Sequence, residues 1–466
     1  MIFAVVVSGA RAQSATSQTW TSSITYYTPS SSGGTLQVNY YAGTNLYQGP
    51  IISLVPHKAG SLFIGTVSTV PDGFVGSAVL RSDVPVVATY VQFAAGAEAG
   101  NYGRPIYSGF SPQDAATPFY VPTVLYQKFN TTSRIGVQNV EDFEITALLK
   151  FYEVGNPTPI AQKSVDIPAQ ASYVFAPSEI TGLTPGFNGS LVIEATKKGD
   201  PTTPGKVVAA SVETADSGRF AYAFEGVAQG ANKIYMPSML CKYRPEQQMS
   251  YYAIQNAGNV TATVTIKFYN TAGAQVGTMP PTNIPPGGKI SVQPCAYGVP
   301  ENTSGSAVIE STGAPIIAIG KISANNGLAT AFIGQSTGYK KVALPYVRWA
   351  ANPAQDFRAY IAIMNVGDDK ATNIVAKYYD GNGNLVATHR VAGADNPLGV
   401  FIKRNSDPYT AGALNPTYGD FGFHPPGGAV EIESDQPVVV VVRLARNVNL
   451  APVTMFGEDY NGVPIP

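Results

Sequence analysis

The sequence predicts an all-β fold of four tandem antiparallel β-sandwich domains, and three observations carry that prediction. A similar segment recurs four times along the chain, its apolar residues alternate with polar ones, and 47 glycines and 36 prolines separate such runs. Alternation with period two is typical of strands that bury one face. A chain of 466 residues is also too long for one compact core, so several domains are expected.

The repeated segment is clearest in its third copy, YAIQNAGNVTATVTIKFY, which spans 252–269. Val264, Ile266 and Phe268 alternate with polar residues there, which predicts a half-buried strand. The strand ends in an aromatic pair in every copy: Tyr40-Tyr41, Phe151-Tyr152, Phe268-Tyr269 and Tyr378-Tyr379. We expect one ring of each pair in the core and the other at the surface; a sugar-stacking platform is the alternative role of the outer ring.

Two further landmarks follow in the same order, and the copies recur with a period of about 115 residues. The first is a glycine before small and apolar residues, at Gly76-Ser77-Ala78-Val79, Gly189-Ser190-Leu191-Val192, Gly305-Ser306-Ala307-Val308 and Gly428-Ala429-Val430. The second is a β-branched run that begins at Val86, Val207, Ile316 and Val438. Three landmarks in four copies indicate a true repeat.

Each copy has room for seven or eight short strands separated by turns such as Pro285-Pro286-Gly287-Gly288. That pattern is typical of an antiparallel β-sandwich of the immunoglobulin type. The predicted domains are repeat 1 (13–117), repeat 2 (118–232), repeat 3 (233–341) and repeat 4 (342–459), preceded by a signal peptide at 1–12 and followed by a C-terminal strand at 460–466.

Charge and histidine content argue against nucleic-acid binding and catalysis. Only 13% of the residues are charged and the net charge is -1, so no basic surface for nucleic acid is expected. The histidines His57, His389 and His424 lie at unrelated repeat positions and form no triad spacing. We expect them, and carboxylates such as Glu431 and Glu433, to be solvated. We therefore predict no enzyme activity, no cofactor and no metal.

The N-terminal run MIFAVVVSGARA predicts a signal peptide that ends at Ala12, and hence a secreted, extracellular or cell-surface protein. No basic residue follows Met1 before the apolar run, so a leading β-strand is the alternative. No later run approaches the roughly 18 apolar residues of a membrane span. In an exported chain, Cys241 and Cys295 are expected to form a disulfide across the two sheets of repeat 3; two buried thiols are the alternative.

The two ends of the repeat array differ from its middle. Repeats 2 to 4 open with a short strand that contains Pro122, Pro237 or Pro345, whereas repeat 1 has the polar stretch 14–22 there. The tail resembles the start of a fifth repeat, so Val463, Pro464, Ile465 and Pro466 are a predicted assembly strand. Such a strand would fill the open edge of repeat 1 in the next molecule, head to tail. A frayed tail, with 14–22 closing repeat 1, is the alternative.

The Ile254-Gln255-Asn256-Ala257-Gly258 tract and the Pro285-Pro286-Gly287-Gly288 turn resemble the tandem immunoglobulin-like repeats of bacterial cell-surface and secreted proteins, including cell-adhesion-related modules. The resemblance implies a structural subunit of a surface filament, sheath or layer whose partner is itself. An adhesin or carbohydrate-binding array, with other surface proteins or glycans as partners, is the second function it implies. The fold alone does not choose between them.

Overall fold

The computed structural model describes residues 2–7, 20–96 and 100–466, and only the backbone of 2–7. In these ranges the chain is all-β, as predicted, and its sheets are antiparallel. The helical elements are 3₁₀ turns at Ile64–Thr66, Pro112–Asp114, Pro177–Glu179 and Pro294–Tyr297. The predicted signal-peptidase site after Ala12 lies outside the described residues.

Repeat 1 and the N-terminal strand build two four-stranded sheets. The first contains, in spatial order, β1 (Ile2–Val7), β6 (Gly76–Ser82), β3 (Gly34–Ala42) and β4 (Asn45–Leu54). The second contains β5 (Ala59–Phe63), β2 (Trp20–Tyr27), β7 (Val87–Ala94) and β8 (Ile106–Ser108).

Repeats 2 and 3 have the same two-sheet order. In repeat 2 the first sheet contains β9 (Phe119–Tyr126), β14 (Phe187–Lys197), β11 (Ile145–Glu153), β12 (Ala161–Ile167) and the short β15 (Asp200–Pro204). Its second sheet contains β13 (Ser172–Phe175), β10 (Thr131–Asn139), β16 (Val207–Ala215) and β17 (Ala221–Glu225). In repeat 3 the first sheet contains β18 (Lys233–Cys241), β23 (Thr303–Thr312), β20 (Ala262–Asn270) and β21 (Gln275–Ile284). Its second sheet contains β22 (Lys289–Val292), β19 (Met249–Asn256), β24 (Ile316–Ser323) and β25 (Ala329–Ile333).

Repeat 4 differs because one long strand joins its two layers. β31 (Ala429–Leu450) pairs along its first part with β26 (Tyr339–Leu344) and β28 (Ile374–Tyr379), and along its second part with β27 (Arg358–Asn365) and β32 (Val453–Asn461). The edges are β29 (Leu385–Ala392) on β28, β30 (Lys403–Ser406) on β27, and β33 (Val463–Pro464) on β26.

The Asn that ends the repeated Gln-Asn segment anchors the core of three repeats. Asn139, Asn256 and Asn365 are fully buried. Each side-chain amide donates to the chain that enters and leaves the neighbouring hairpin, as Asn256 does to Val260 O at 2.7 Å and Ile284 O at 2.9 Å. A buried amide that satisfies several backbone groups fixes the path of the chain, which explains why this residue recurs.

The prediction that repeat 1 has an open sheet edge is wrong. Strand β1 pairs with β6 from Ile2 opposite Arg81 to Val7 opposite Gly76. This is the position that β9 occupies on β14 and β18 on β23. The leading-strand alternative therefore describes residues 2–7. Residues 20–22 of the polar stretch lie in β2 of the other sheet, and 14–19 lie outside the described residues.

The fifth-repeat interpretation of the tail is also wrong. Each repeat ends with a strand followed by a glycine whose N–H donates back to the β-branched strand: Gly109 to Ala88, Gly226 to Ala209, Gly334 to Ala318 and Gly462 to Val440. The next residue then pairs with the opening strand of its own repeat, as Val227 does with Tyr120 and Val463 with Ala343. The tail thus completes repeat 4 of its own chain.

Candidate functional site

The repeats contact one another in a closed cycle, in the order 1–2–3–4–1. Their last strands, β8, β17, β25 and β32, meet in that same cyclic order. Asn461 of repeat 4 touches two other repeats here: its amide donates to Ile333 O at 2.8 Å, and its carbonyl accepts from Ser108 Oγ at 2.8 Å. These contacts make the junctions between repeats the most extensive set of recurring polar sites in the chain.

Three junctions share one hydrogen-bond pattern, and we call them the serine junctions. The serine of the Gly-Ser landmark donates to a carbonyl of the following repeat. Ser77 donates to Gln170 O at 3.1 Å, Ser190 donates to Gly287 O at 2.8 Å, and Ser306 donates to Phe401 O.

The accepting residues all have left-handed backbone conformation, with φ of 60° at Gln170, 70° at Gly287 and 64° at Phe401. The left-handed turn aims each carbonyl out of its own repeat. In two junctions the glutamine of the Gln-Asn segment supports that carbonyl from the other side: Gln138 Nε2 lies 3.1 Å from Gln170 O, and Gln255 Nε2 lies 3.3 Å from Gly287 O.

The prediction for the aromatic pairs holds only in part, because the outer rings of Tyr41, Tyr152 and Tyr269 are partly exposed but that of Tyr379 is buried, at 7% exposure. The first ring of each pair is fully buried. Of the second rings, Tyr269 lies 5.9 Å from Phe401 and Tyr379 lies 4.7 Å from His57, each across a junction. These tyrosines therefore pack repeat against repeat, and the geometry gives no support to a sugar-stacking role for them.

The junction between repeats 4 and 1, which we call the closing junction, has different chemistry. Ala429 occupies the serine position, and Glu431 stands where the other repeats have Val79, Val192 and Val308. On the side of repeat 1, Tyr27 precedes Thr28 where repeats 2 and 3 have the Gln-Asn pair. His57, with φ of 54°, takes the place of the left-handed acceptor.

Glu431 is the centre of the closing junction and is 6% exposed. Its Oε1 accepts the Tyr27 hydroxyl at 2.7 Å and lies 3.2 Å from His57 Nδ1; its Oε2 lies 3.4 Å from the Tyr379 hydroxyl. The His57 ring stacks on Tyr379 with a 10° angle between planes. Burial and the Glu431 carboxylate raise the pKa of Tyr27, so the hydroxyl remains a donor.

A second set of contacts closes the cycle nearer its centre. Arg104 of repeat 1 pairs with the buried Glu458 of repeat 4 at 2.8 Å, and its guanidinium lies 4.9 Å above the Phe357 ring. Tyr460 donates to Tyr346 O at 2.6 Å within repeat 4. The closing junction thus has the Glu431 carboxylate where each serine junction has a hydrogen bond from a neutral hydroxyl, although carboxylates also act elsewhere in two serine junctions: Glu225 accepts from Ser108 N and Glu213 pairs with Lys321.

The outer sheet edge of repeat 1 is a second candidate surface. β4 is the last strand of its sheet and carries no charged residue, and its Ile51 side chain is 72% exposed. Ile51 lies opposite Gln37 on β3. The same position has Ser164 in repeat 2, Arg390 in repeat 4, and a bulge at Pro280-Pro281 in repeat 3.

Charges, prolines and bulges are the usual protections of an edge strand against pairing with another chain. β12 carries Lys163 and Asp166, β21 carries Pro280 and Pro281, and β29 carries Arg390. β4 has only Pro50. We call β4 and its exposed side chains the β4 edge.

The predicted disulfide and the predicted assembly strand have different places relative to these sites. Cys241 and Cys295 are joined by a disulfide that links β18 to the turn after β22, and so spans the two sheets of repeat 3. Val463 and Ile465 pack beside Tyr27 and Ala343, next to the closing junction, so the tail lies between repeats 4 and 1 of one chain.

The expectation of solvated histidines and carboxylates is wrong for two residues that matter here. His57 and Glu431 contact each other across the closing junction, and Glu431 is buried. Burial there depends on a repeat far away in the sequence, so local pattern could not show it. A signal was nevertheless present, because Ala429 and Glu431 break two columns of the repeat that recur in the other three copies.

The described residues hold no group of three or more His, Cys, Asp or Glu side chains arranged for a metal ion. Over the same ranges, no helix has the length and apolar character needed to cross a membrane.

Comparisons with known proteins give no family. No family model and no curated protein matches the chain. The crystal structure of Thermotoga maritima 1070 aligns with 23% of this chain and 95% of its own, at 20% identity and a TM-score of 0.19. A biofilm associated protein, BSP domain, aligns with 100% of this chain and 93% of its own, at 9% identity and a TM-score of 0.15. At such TM-scores neither likeness supports an argument about fold or function.

Proposed function

We propose that this chain is a secreted structural subunit of a bacterial surface layer, sheath or filament, built from four immunoglobulin-like domains. The proposal involves no catalytic step. Copies associate through the β4 edge, and each copy is closed on itself through the closing junction. Export is supported by the Cys241–Cys295 disulfide, because such bonds persist mainly in oxidising compartments.

The β4 edge is the observation that carries this proposal. An uncharged edge strand with an isoleucine 72% exposed is a template for pairing with another chain. The outer edges β12 and β29 carry charged residues that β4 lacks, and the uncharged β21 has no large apolar side chain as exposed as Ile51. The occupant we propose is the β4 edge of a second copy, paired antiparallel about a two-fold axis, and the resulting dimer is the unit from which the larger assembly is built.

This mechanism replaces strand donation by the tail. Donation needs an empty edge and a spare strand, and in this fold β1 fills the edge of repeat 1 while β33 pairs with β26. Edge-to-edge association needs neither, because β4 is the last strand of its sheet.

A reciprocal exchange at one repeat position tests the proposal. Ile51→Arg gives the β4 edge the charge that repeat 4 has, and Arg390→Ile gives the edge of repeat 4 the side chain of β4. We expect light scattering with size-exclusion chromatography to show association of the wild-type chain. Ile51→Arg should abolish it, and Arg390→Ile should increase it.

Electron microscopy of the same samples checks the form of the assemblies. A monomeric wild-type chain at high concentration would contradict the proposal. Ile51→Arg assemblies like those of the wild type would also contradict it, because they would show that another surface is responsible.

A further inference from the structure

A cleft between repeats 3 and 4 concentrates positive charge in a chain that has little charge elsewhere. It has a volume of about 240 Å³ and is lined by four cations, with no Asp or Glu among its lining residues. The cations are Arg244, Arg358, Lys403 and Arg443. A cavity with this lining is suited to an anion.

Lys403 is the least compensated of these cations. The residue is 6% exposed, and its ammonium has neither a hydrogen bond nor an ion pair with any residue in the described part of the chain. The carboxylate that acts on it, Asp459, is held by Arg443 through contacts of 3.0 and 2.6 Å. Burial, with the repulsion of Arg443, lowers the pKa of Lys403 to about 7. A buried cation without a partner is costly, so an anionic ligand would be stabilised here.

Arg358 is positioned as a second donor. Its Nε donates to Ala350 O at 2.8 Å and one terminal nitrogen donates to Ala351 O at 2.7 Å, and its guanidinium lies 4.8 Å from the Trp349 ring centre. These contacts fix the plane of the side chain and leave further N–H groups for a ligand. Tyr360 is 37% exposed beside it and offers an aromatic face.

The remaining polar lining can bind hydroxyl groups. Asn405 and Asn447 bring side-chain amides, each with donors and an acceptor, to the same cleft. A cation pair, an aromatic ring and amides in one open cleft match a ligand that has a carboxylate, a flat apolar face and several hydroxyls.

We infer that this cleft binds a carboxylate-bearing sugar, the hexuronate unit of an acidic polysaccharide. Lys403 and Arg358 bind the carboxylate, Tyr360 packs against the sugar ring, and the two amides bind its hydroxyls. This function is separate from assembly, because the cleft and the β4 edge share no residue.

The junction between repeats 2 and 3 provides a matched control. Lys289 is the first residue of β22 as Lys403 is of β30, and it is 2% exposed. Its ammonium donates to Thr123 Oγ1 at 2.9 Å, and the other cation there, Lys321, pairs with Glu213. The cleft is larger, about 450 Å³, and is lined mainly by apolar and aromatic residues, including Phe129, Phe220, Tyr222, Tyr251 and Tyr252.

Titration of the full-length chain with glucuronate, glucose and acetate, followed by NMR, tests the inference. Glucuronate should bind, and Lys403→Met should weaken it about tenfold because a charge-assisted hydrogen bond is lost. Lys289→Met should leave the affinity within about twofold. Asn405→Ala, at an exposed position, should weaken glucuronate binding and leave acetate binding unchanged. This variant replaces Lys403→Met in the test if Lys403→Met does not fold.

The pH dependence gives a second readout. Burial and the repulsion of Arg443 place the pKa of Lys403 at about 7, so Lys403 loses its charge as the pH rises through neutrality. Glucuronate affinity should therefore fall as the pH rises through about 7, and Lys403→Met should flatten that profile.

Several results would overturn the inference. They are the absence of glucuronate binding, equal affinity for acetate or glucose, and an equal loss in Lys289→Met. These binding results do not depend on whether the chain assembles, because the Ile51→Arg variant should bind glucuronate with the affinity of the wild type.

Discussion

The serine junctions and the closing junction join equivalent surfaces with different chemistry. In the former, Ser77, Ser190 and Ser306 each donate to a left-handed carbonyl of the next repeat. In the latter, Glu431 accepts from Tyr27 and contacts His57. Consecutive repeats are held close by the short chain between them, so the hydrogen bond at the serine position need not select the partner.

Repeats 1 and 4 are the two ends of the array, and their meeting must be selected against the same surfaces on another chain. If repeat 4 carried the serine pattern, its serine could donate to the accepting carbonyl of repeat 2 or 3 in a neighbouring molecule. That serine would not distinguish such a carbonyl from one in its own chain. A buried carboxylate that only Tyr27 and His57 can satisfy makes such wrong pairings costly. The different chemistry of the closing junction therefore selects contact between repeats 4 and 1 of one chain.

The largest expected effect comes from Glu431→Leu. The substitution leaves the buried Tyr27 hydroxyl with only His57 Nδ1, 3.3 Å away, and leaves Tyr379 without its acceptor. We expect a loss of about 3 kcal/mol, because unpaired buried polar groups cost roughly 1–3 kcal/mol each. Denaturant unfolding measures the loss, and small-angle X-ray scattering should show a larger radius of gyration. A variant with wild-type stability and dimensions would refute the role of Glu431 in closure.

A smaller effect is expected from Tyr27→Phe. The carboxylate loses its shortest contact, 2.7 Å, but keeps His57 at 3.2 Å and Tyr379 at 3.4 Å. Because two partners remain, we expect about 1–2 kcal/mol in the same unfolding experiment. His57→Ala is the companion variant, and its addition to Tyr27→Phe should cost more than the sum of the single changes, because Glu431 is then nearly unpartnered. Strict additivity would argue that the three residues do not act as one cluster.

Ser190→Ala should have the smallest effect of the three. Gly287 O still accepts from Gln255 Nε2 at 3.3 Å, so the buried carbonyl keeps a partner. The expected loss is about 1 kcal/mol or less, with unchanged dimensions in solution. A loss as large as that of Glu431→Leu would remove the distinction between the two kinds of junction.

The regular part of the fold was predictable because its signals are local. The alternation of Val264, Ile266 and Phe268 predicts a strand, and the structure has β20 at Ala262–Asn270 with these three side chains buried. The bonding role of Asn256 and the junction role of Ser190 could not be predicted, because their partners are set by packing between segments.

The ends of the array were misjudged for a related reason. The apolar run of β1 is compatible with a strand or a signal peptide, and its pairing with β6 is a long-range contact. The tail shares a tyrosine and a proline with an opening strand, but its Gly462 aligns with Gly226 and Gly334 at the ends of repeats. Comparing repeat ends as well as repeat starts would have assigned it correctly.

Closure within one chain is the central claim, and cross-linking of an isotope mixture tests it most directly. Lys58 adjoins His57 in repeat 1, and Lys341 of repeat 4 lines the same cavity as His57. Equal amounts of unlabelled and fully ¹⁵N-labelled chain are mixed under dissociating conditions, refolded, cross-linked through lysines and analysed by mass spectrometry. The account predicts Lys58–Lys341 peptides that are wholly ¹⁴N or wholly ¹⁵N. Mixed ¹⁴N–¹⁵N peptides in the statistical proportion would show that repeats 1 and 4 meet between chains, and would contradict it.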